Sequence, residues 1–292
     1  MPYFESPVDG VRLHYADHGP ASGPVAVFAA SAYLGHEMWE SQALPLAEAG
    51  FRCVGYDRRG HGRSDDAWSG YDLDTLADDL HGLLAHLGLR RATLIGHSVG
   101  AAEVVRCLTR HGGGRVARAA LVSGLVPGIG RSPSLPNGIG PEFVQADDAA
   151  FRADRAAYFA ASADDFFAAH LPGNRVSPAY VDHLIARCLT STLRASDAVR
   201  RLSLTLDVTA ELSSLTVPFL LVHGTHDTSA PLPVTGERAS RLLTDADLRV
   251  YEDAGHGLFA THGHQLLADL REFIGEPESR TTTHRELMTR QA

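Results

Sequence analysis

Short apolar runs alternate along the chain with longer amphipathic stretches. Val11-Arg12-Leu13-His14-Tyr15 switches between apolar and polar residues and suits an edge hairpin, whereas Val25-Ala26-Val27-Phe28-Ala29 is apolar throughout and suits a buried strand. A helical stretch follows from about Met38 to Ala49, with Gly50 placed as the residue just past its end. Phe51 to Tyr56 reads as another buried strand. Asp72 or Asp74 can cap a helix running to about Leu87, because Leu73, Leu76, Leu80, Leu83, Leu84 and Leu87 fall on one face and Gly88 stops it. The order then repeats as strand Ala92 to Ile95, helix Ala101 to His111 and strand Ala117 to Val122. Strands alternating with amphipathic helices predict an α/β fold with a mostly parallel sheet covered on both faces.

That alternation breaks after Leu125. From Pro127 to about Leu215 no convincing strand is found, only a Gly/Pro-rich lead-in and helical segments rich in Ala, Asp and Phe. Strands return at Val217 to Val222 and Leu248 to Tyr251, and a helix from about Gln265 to Ile274 closes the pattern. One α/β core, residues 1–126 and 216–276, interrupted by a helical cap over 127–215, explains this better than two domains in series. Residues 277–292 are polar and without periodicity, as expected of a loose tail.

With 292 residues the chain is long enough to bury a sizeable core. A formal net charge of −9 with no basic stripe disfavours nucleic acid as a partner, so a small molecule of little charge is the better expectation. Cys53, Cys107 and Cys188 are three in number and widely spaced, which fits neither a disulfide framework nor a zinc pattern. No signal-peptide pattern and no membrane-length apolar run stand in the sequence, so a cytoplasmic location is expected. A homo-oligomer is compatible with all of this.

Candidate chemistry begins at Gly96-His97-Ser98-Val99-Gly100, between the run Ala92 to Ile95 and the helix from Ala101. A strand turning sharply into a helix presents one side chain in a strained, exposed position, and the flanking glycines remove Cβ atoms that would clash there. Ser98 is that residue. A serine hydroxyl needs a base and an acid behind the base, and in a nucleophile elbow these follow in the order serine, acid, histidine. Asp227 ends the strand-and-turn Leu221 to Asp227, and His256 follows the strand through Tyr251; both then fall at the carboxyl edge of the sheet, where such sheets bind ligands. The strand Leu121 to Leu125 offers no competing carboxylate.

The chain has sixteen histidines, so position after a strand is what singles out His256. His97, beside the nucleophile, is expected to build the elbow rather than do chemistry. His223 and His226 have a ligand-like spacing, yet one lies on a buried strand and the other in a turn, so no metal is expected. Gly128-x-Gly130 lacks a third glycine and a helix start, which sets a dinucleotide aside. No cofactor is expected. Backbone donors for an oxyanion are assigned to Val99, just after the serine, and to Ala32 in the loop after the second apolar run.

Several motifs in register resemble those of the α/β-hydrolase fold and, within it, the cofactor-free (non-haem) haloperoxidases and related aryl esterases. They are Tyr56-Asp57-Arg58-Arg59-Gly60-His61-Gly62-Arg63-Ser64, Gly70 to Thr75 with Ala77 to Leu80, Glu103 to Arg106 with Arg110 to Gly112, and Phe166-Phe167 with Pro172-Gly173-Asn174 and Val176. The resemblance places the catalytic triad on Ser98, Asp227 and His256, in agreement with the reading from strand order. It departs in one loop. Where the family has His-Gly, an aromatic residue and Pro, this chain has Ala30-Ser31-Ala32-Tyr33, closer to the loop of enol-lactone hydrolases. The missing proline weighs against perhydrolase or halogenating chemistry.

The leading expectation is a serine hydrolase of a small apolar or aromatic ester or lactone, acting through an acyl-enzyme on Ser98. Alternatives keep the triad for a non-hydrolytic tailoring step (cyclisation, elimination or decarboxylation), or for a haloperoxidase or perhydrolase; a non-catalytic ligand receptor is the bland reading. Ser31, Tyr33, Phe143, Tyr158, Phe159, Phe166 and Leu258 are the expected substrate contacts, with Phe151, Phe167 and Tyr180 as further cap aromatics.

Overall fold

A computed structural model describes residues 2–275; the expected tail at 277–292, and residue 276 of the core range, lie outside the described residues. Eight strands form one sheet: β1 (Tyr3–Glu5), β2 (Arg12–His18), β3 (Val25–Ala29), β4 (Arg52–Tyr56), β5 (Ala92–His97), β6 (Val116–Val122), β7 (Phe219–Gly224) and β8 (Ala246–Tyr251). Their spatial order is β1-β2-β4-β3-β5-β6-β7-β8. β1 and β2 run antiparallel at one edge, and every pairing from β4 to β8 is parallel. Every residue of β5 and β7 is buried, which is why these strands read as apolar runs instead of alternating ones. β7 starts at Phe219 rather than Val217, because Pro218 has no N–H to give to a ladder.

Successive residues feed opposite layers. Phe28, Ile95 and Leu220 face the layer that holds Leu46 of α1 (Glu40–Glu48) and Leu266 and Leu270 of α11 (Gly263–Gly275). Val27, Leu94 and Leu221 face the other layer. There Leu80 and Leu84 of α2 (Leu73–His86), Val104 and Leu108 of α3 (Val99–His111) and Ala239 of α9 (Gly236–Leu242) complete the packing. Each buried leucine contributes on the order of 2 kcal/mol relative to exposure, so the apolar faces hold these helices in place. Asp72 is the cap of α2, accepting the Thr75 N–H at 2.9 Å, while Asp74 pairs with Arg106 and Arg110.

Between β6 and β7 lie α4 (Pro141–Ala153), α5 (Arg155–Phe167), α6 (Pro178–Cys188), α7 (Leu193–Thr205) and α8 (Thr209–Leu212). Over 127–215 the described residues contain two isolated bridges and no strand. α8 packs against α3, where its Leu212 joins the core. β1, α9 and the short α10 (Leu258–Thr261) were not anticipated; each is too short for a periodic signal. Among the described residues no helix is long and apolar enough to cross a membrane.

Candidate active site

β5 runs directly into α3 through Ser98, whose φ of 57° and ψ of −120° lie outside the regions a non-glycine residue ordinarily adopts. The turn closes because its neighbours lack side chains. A Cβ on Gly96 would stand 2.4 Å from the Gly100 carbonyl oxygen, and a Cβ on Gly100 would stand 2.7 Å from the carbonyl oxygens of both Ala29 and Ala30. Ser98 N–H donates to the Val122 carbonyl at 3.1 Å, and its own carbonyl accepts from Ala101 and Leu125 at 3.1 Å each, so the strained conformation is held from three sides.

Asp227 and His256 reach the same sheet edge from the ends of β7 and β8. His256 Nδ1 lies 3.0 and 2.9 Å from the two Asp227 carboxylate oxygens, and Asp227 Oδ1 also accepts the Ser229 and Ala230 N–H groups at 3.0 and 2.7 Å. Burial alone would raise the Asp227 carboxyl; the charge and hydrogen bond of His256, the nearby His223 and the Ala230 N–H together outweigh it and hold the group below the ordinary aspartate value. An ionised, acceptor-only carboxylate fixes the proton on Nδ1 and leaves Nε2 as the basic nitrogen. Ser98 and His256 line one cavity. Among the described residues no hydrogen bond joins them.

His97 lies within the elbow. Its Nε2 lies 2.9 Å from the His256 carbonyl, which ties the elbow to the loop carrying the other ring. Complete burial, with the neighbouring His256, pushes its pKa down to about 3 and keeps it neutral.

Opposite the elbow, Ser31, Ala32, Tyr33 and Leu34 form a stretch of cavity wall in the loop after β3. Tyr33 has a φ of 67°, a second left-handed residue without glycine's freedom. Val99 opens α3, where the first amides of a helix have no intrahelical acceptor. The loop is tethered at both ends. Arg58 donates to the Ala30 and Ser31 carbonyls at 2.9 and 3.1 Å, and Asp57 Oδ1 accepts the His36 N–H at 2.8 Å.

The cavity measures about 340 Å³ and is mostly apolar. Of the expected substrate contacts, Ser31, Tyr33, Phe143, Tyr158, Phe159 and Phe166 lie in its wall, and Phe167 does too. Leu258 does not. It is fully buried in the layer under α10 and α11, because the turn after His256 points the first residue of α10 into the core. Phe151 likewise packs inside the roof that residues of α4 to α7 form over the cavity, stacked on Tyr33 and edge-on to Tyr158 and Phe159, and Tyr180 packs against Phe167.

Polar wall residues were missed: Asp147, Ser162, Asp165, Arg200, Ser203, Thr228 and Ser229. Asp147 accepts the Tyr158 hydroxyl at 2.8 Å and pairs with Arg200, which also meets Asp148 and Asp197. Their sequence signal is present but weak, since Asp and Arg on helices read as solvated faces. Cys188 also lines the cavity; burial pushes its thiol up to about 12, so it stays protonated and offers no rival nucleophile.

His223 points its Nε2 at the Ala230 carbonyl, and His226 sits in the following turn near His170. One group of ligand-type atoms does converge: His14, His36 and Asp57 lie within 4.8 Å of one another. Asp57 already accepts the backbone N–H groups of His36 and Arg63 and lies 2.7 Å from His36 Nδ1, which makes it a staple of the loop.

Sheet order, a strained serine between strand and helix, and an acid and histidine delivered later at the same edge define the architecture of an α/β hydrolase. Residues 27–263 match the family described as alpha/beta hydrolase fold, and the chain belongs to that family. It is 35% identical to the non-heme chloroperoxidase CPO-A1 of Kitasatospora aureofaciens, over 92% of this chain and 98% of that protein. Identity to the bifunctional esterase/perhydrolase DCH of Acinetobacter calcoaceticus is 33%, over 91% of this chain and 97% of the other. Among solved structures, an esterase (EaEST) from Exiguobacterium antarcticum superposes with a TM-score of 0.88 at 25% identity, covering 94% of this chain and all of that one (100%).

Proposed function

We propose that the protein hydrolyses a carboxylic ester or lactone of a small apolar or aromatic substrate through an acyl-enzyme on Ser98. The observation that carries this reading is the meeting of a strained Ser98 with the Asp227–His256 pair on one apolar cavity. In the reaction His256 Nε2 takes the Ser98 proton as the oxygen attacks the carbonyl, and substrate binding draws these two side chains into hydrogen-bond range. Asp227 stabilises the imidazolium. The Val99 and Ala32 N–H groups hold the oxyanion, the alcohol leaves with the proton from His256, and water attacks the acyl-enzyme by the reverse path. An apolar lining with few fixed charges suits an uncharged substrate.

The likeness to an esterase/perhydrolase supports a second outcome of the same acyl-enzyme, in which hydrogen peroxide replaces water and a peracid leaves. Tyr33 stands where the resemblance would place the loop proline, so water is favoured as acceptor. The decisive experiment is hydrolysis of an activated aryl ester by wild type and Ser98→Ala. Turnover is expected to fall by at least about 10⁴-fold, with loss of fluorophosphonate labelling. Undiminished turnover in the variant would overturn the reading, and faster peracid formation than hydrolysis in dilute peroxide would favour the second acceptor.

A further inference from the structure

Arg58 sits in the turn after β4, 2% exposed, behind the cavity wall rather than on it. Its three nitrogens go to different supports. Nε donates to Glu103 Oε1 at 2.6 Å, Nη1 to the Ser31 carbonyl at 3.1 Å and Nη2 to the Ala30 carbonyl at 2.9 Å. Glu103 is fully buried on α3, four residues after Val99, and its other oxygen accepts the Tyr56 hydroxyl at 2.8 Å.

The Ser31 carbonyl and the Ala32 N–H belong to one peptide unit. A trans peptide is planar with C=O and N–H pointing in opposite directions, so whatever fixes one direction fixes the other. We infer that Arg58 is a positioning residue of the oxyanion site: it aims the Ala32 N–H by holding the Ser31 carbonyl and, through Glu103, locks that loop to the helix that presents the Val99 N–H. The inference rests on the ester-hydrolase reading. A cation on the carbonyl also polarises the amide and strengthens its N–H as a donor.

The loop needs such an outside constraint. Residues 30–35 have no regular secondary structure, lack proline, and include Tyr33 at a φ of 67°. Its neighbour Arg59 lays two nitrogens, Nε and Nη2, on the single carboxylate of Asp79 and gives Nη1 to Asp9 and the Ser69 carbonyl. Arg58 instead gives one nitrogen to Glu103 and two to the loop.

Arg58→Lys tests this. A lysine keeps a charge beside Glu103 but has one nitrogen, which cannot hold the carboxylate and both carbonyls at once. With an aryl ester, kcat is expected to fall roughly 10- to 100-fold while KM stays within about two-fold, because the lost alignment serves the transition state. Affinity for an aryl boronic acid, which forms a tetrahedral adduct on the serine, should fall in step with kcat, while thermal unfolding reports the fold. If R58K does not fold, the R58Q/E103Q pair, which strands no carboxylate, carries the same readouts. A folded variant with kcat within two-fold of wild type overturns the inference and leaves the reading intact. Absence of ester turnover in wild type itself overturns the reading, and the oxyanion role with it.

Discussion

The elbow and the roof above it are built on different principles. Around Ser98 the geometry is set by backbone: two glycines with no room for a Cβ, a left-handed serine, and loop carbonyls pinned by a buried arginine. Over 127–205 the cavity is made by side chains, with aromatic rings packed edge-on and Asp–Arg pairs among α4 and α7. Backbone geometry tolerates little change, whereas rings and ion pairs can be exchanged one at a time. Under the proposed function, the chemistry is therefore fixed on one side and the choice of substrate is left adjustable on the other.

The contrast can be broken most sharply at Asp227. Asp227→Asn should keep the fold and lower kcat by about 10⁴-fold, because an amide no longer enforces the proton on His256 Nδ1; a loss below ten-fold would place the function of this edge elsewhere. Next comes acid. His61 and His97 are buried and neutral, with pKa values pushed down to about 3 chiefly by desolvation, while the unfolded chain takes up their protons near 6.5. Their stabilisation is therefore complete above pH 6.5 and is lost as pH falls toward 3, on the order of 2 kcal/mol for each between pH 6.5 and 5. Urea midpoints at the two pH values measure it, and a midpoint that does not move would contradict the neutral, buried assignment.

Gly100→Ala is expected to cost about 1–3 kcal/mol, since the methyl meets two backbone carbonyl oxygens that cannot rotate away, and to lower kcat with it. On the roof, Phe143 is 52% exposed at the cavity wall. Phe143→Ala should leave stability within about 0.5 kcal/mol and raise KM for a bulky aryl ester only a few-fold, comparing chain lengths and ring sizes. Equal effects at Gly100 and Phe143 would erase the distinction between the two sides.

Much of the fixed side was legible in the sequence. Runs such as Phe219 to Gly224 announce buried strands, and strand order places Asp227 and His256 at Ser98's edge without any contact being known. What escaped was set by tertiary packing. Leu258 follows the candidate base by two residues and looks like a pocket residue, yet a four-residue helix turns it inward. Arg58 enters the sequence reading only as one residue of the Tyr56 to Ser64 motif, where nothing marks it as buried. The clue available was Glu103, an acid inside the apolar run of α3 that demands a buried partner. Asp147 and Arg200 are separated by 53 residues, and only the packing of α4 on α7 joins them.

The end of α5 is bound to the loop of the candidate base. Gly257 N–H donates to the Phe166 carbonyl at 2.7 Å, the buried Asn174 amide reaches the Asp253 carbonyl, and the Phe166 ring lies edge-on to His256 at 5.3 Å. Helix α4 has no such bond to that loop among the described residues. Under the proposed mechanism, a change at 166–174 would therefore carry the proton-accepting ring with it, whereas a change at Phe143, on the α4 side of the same cavity, would not.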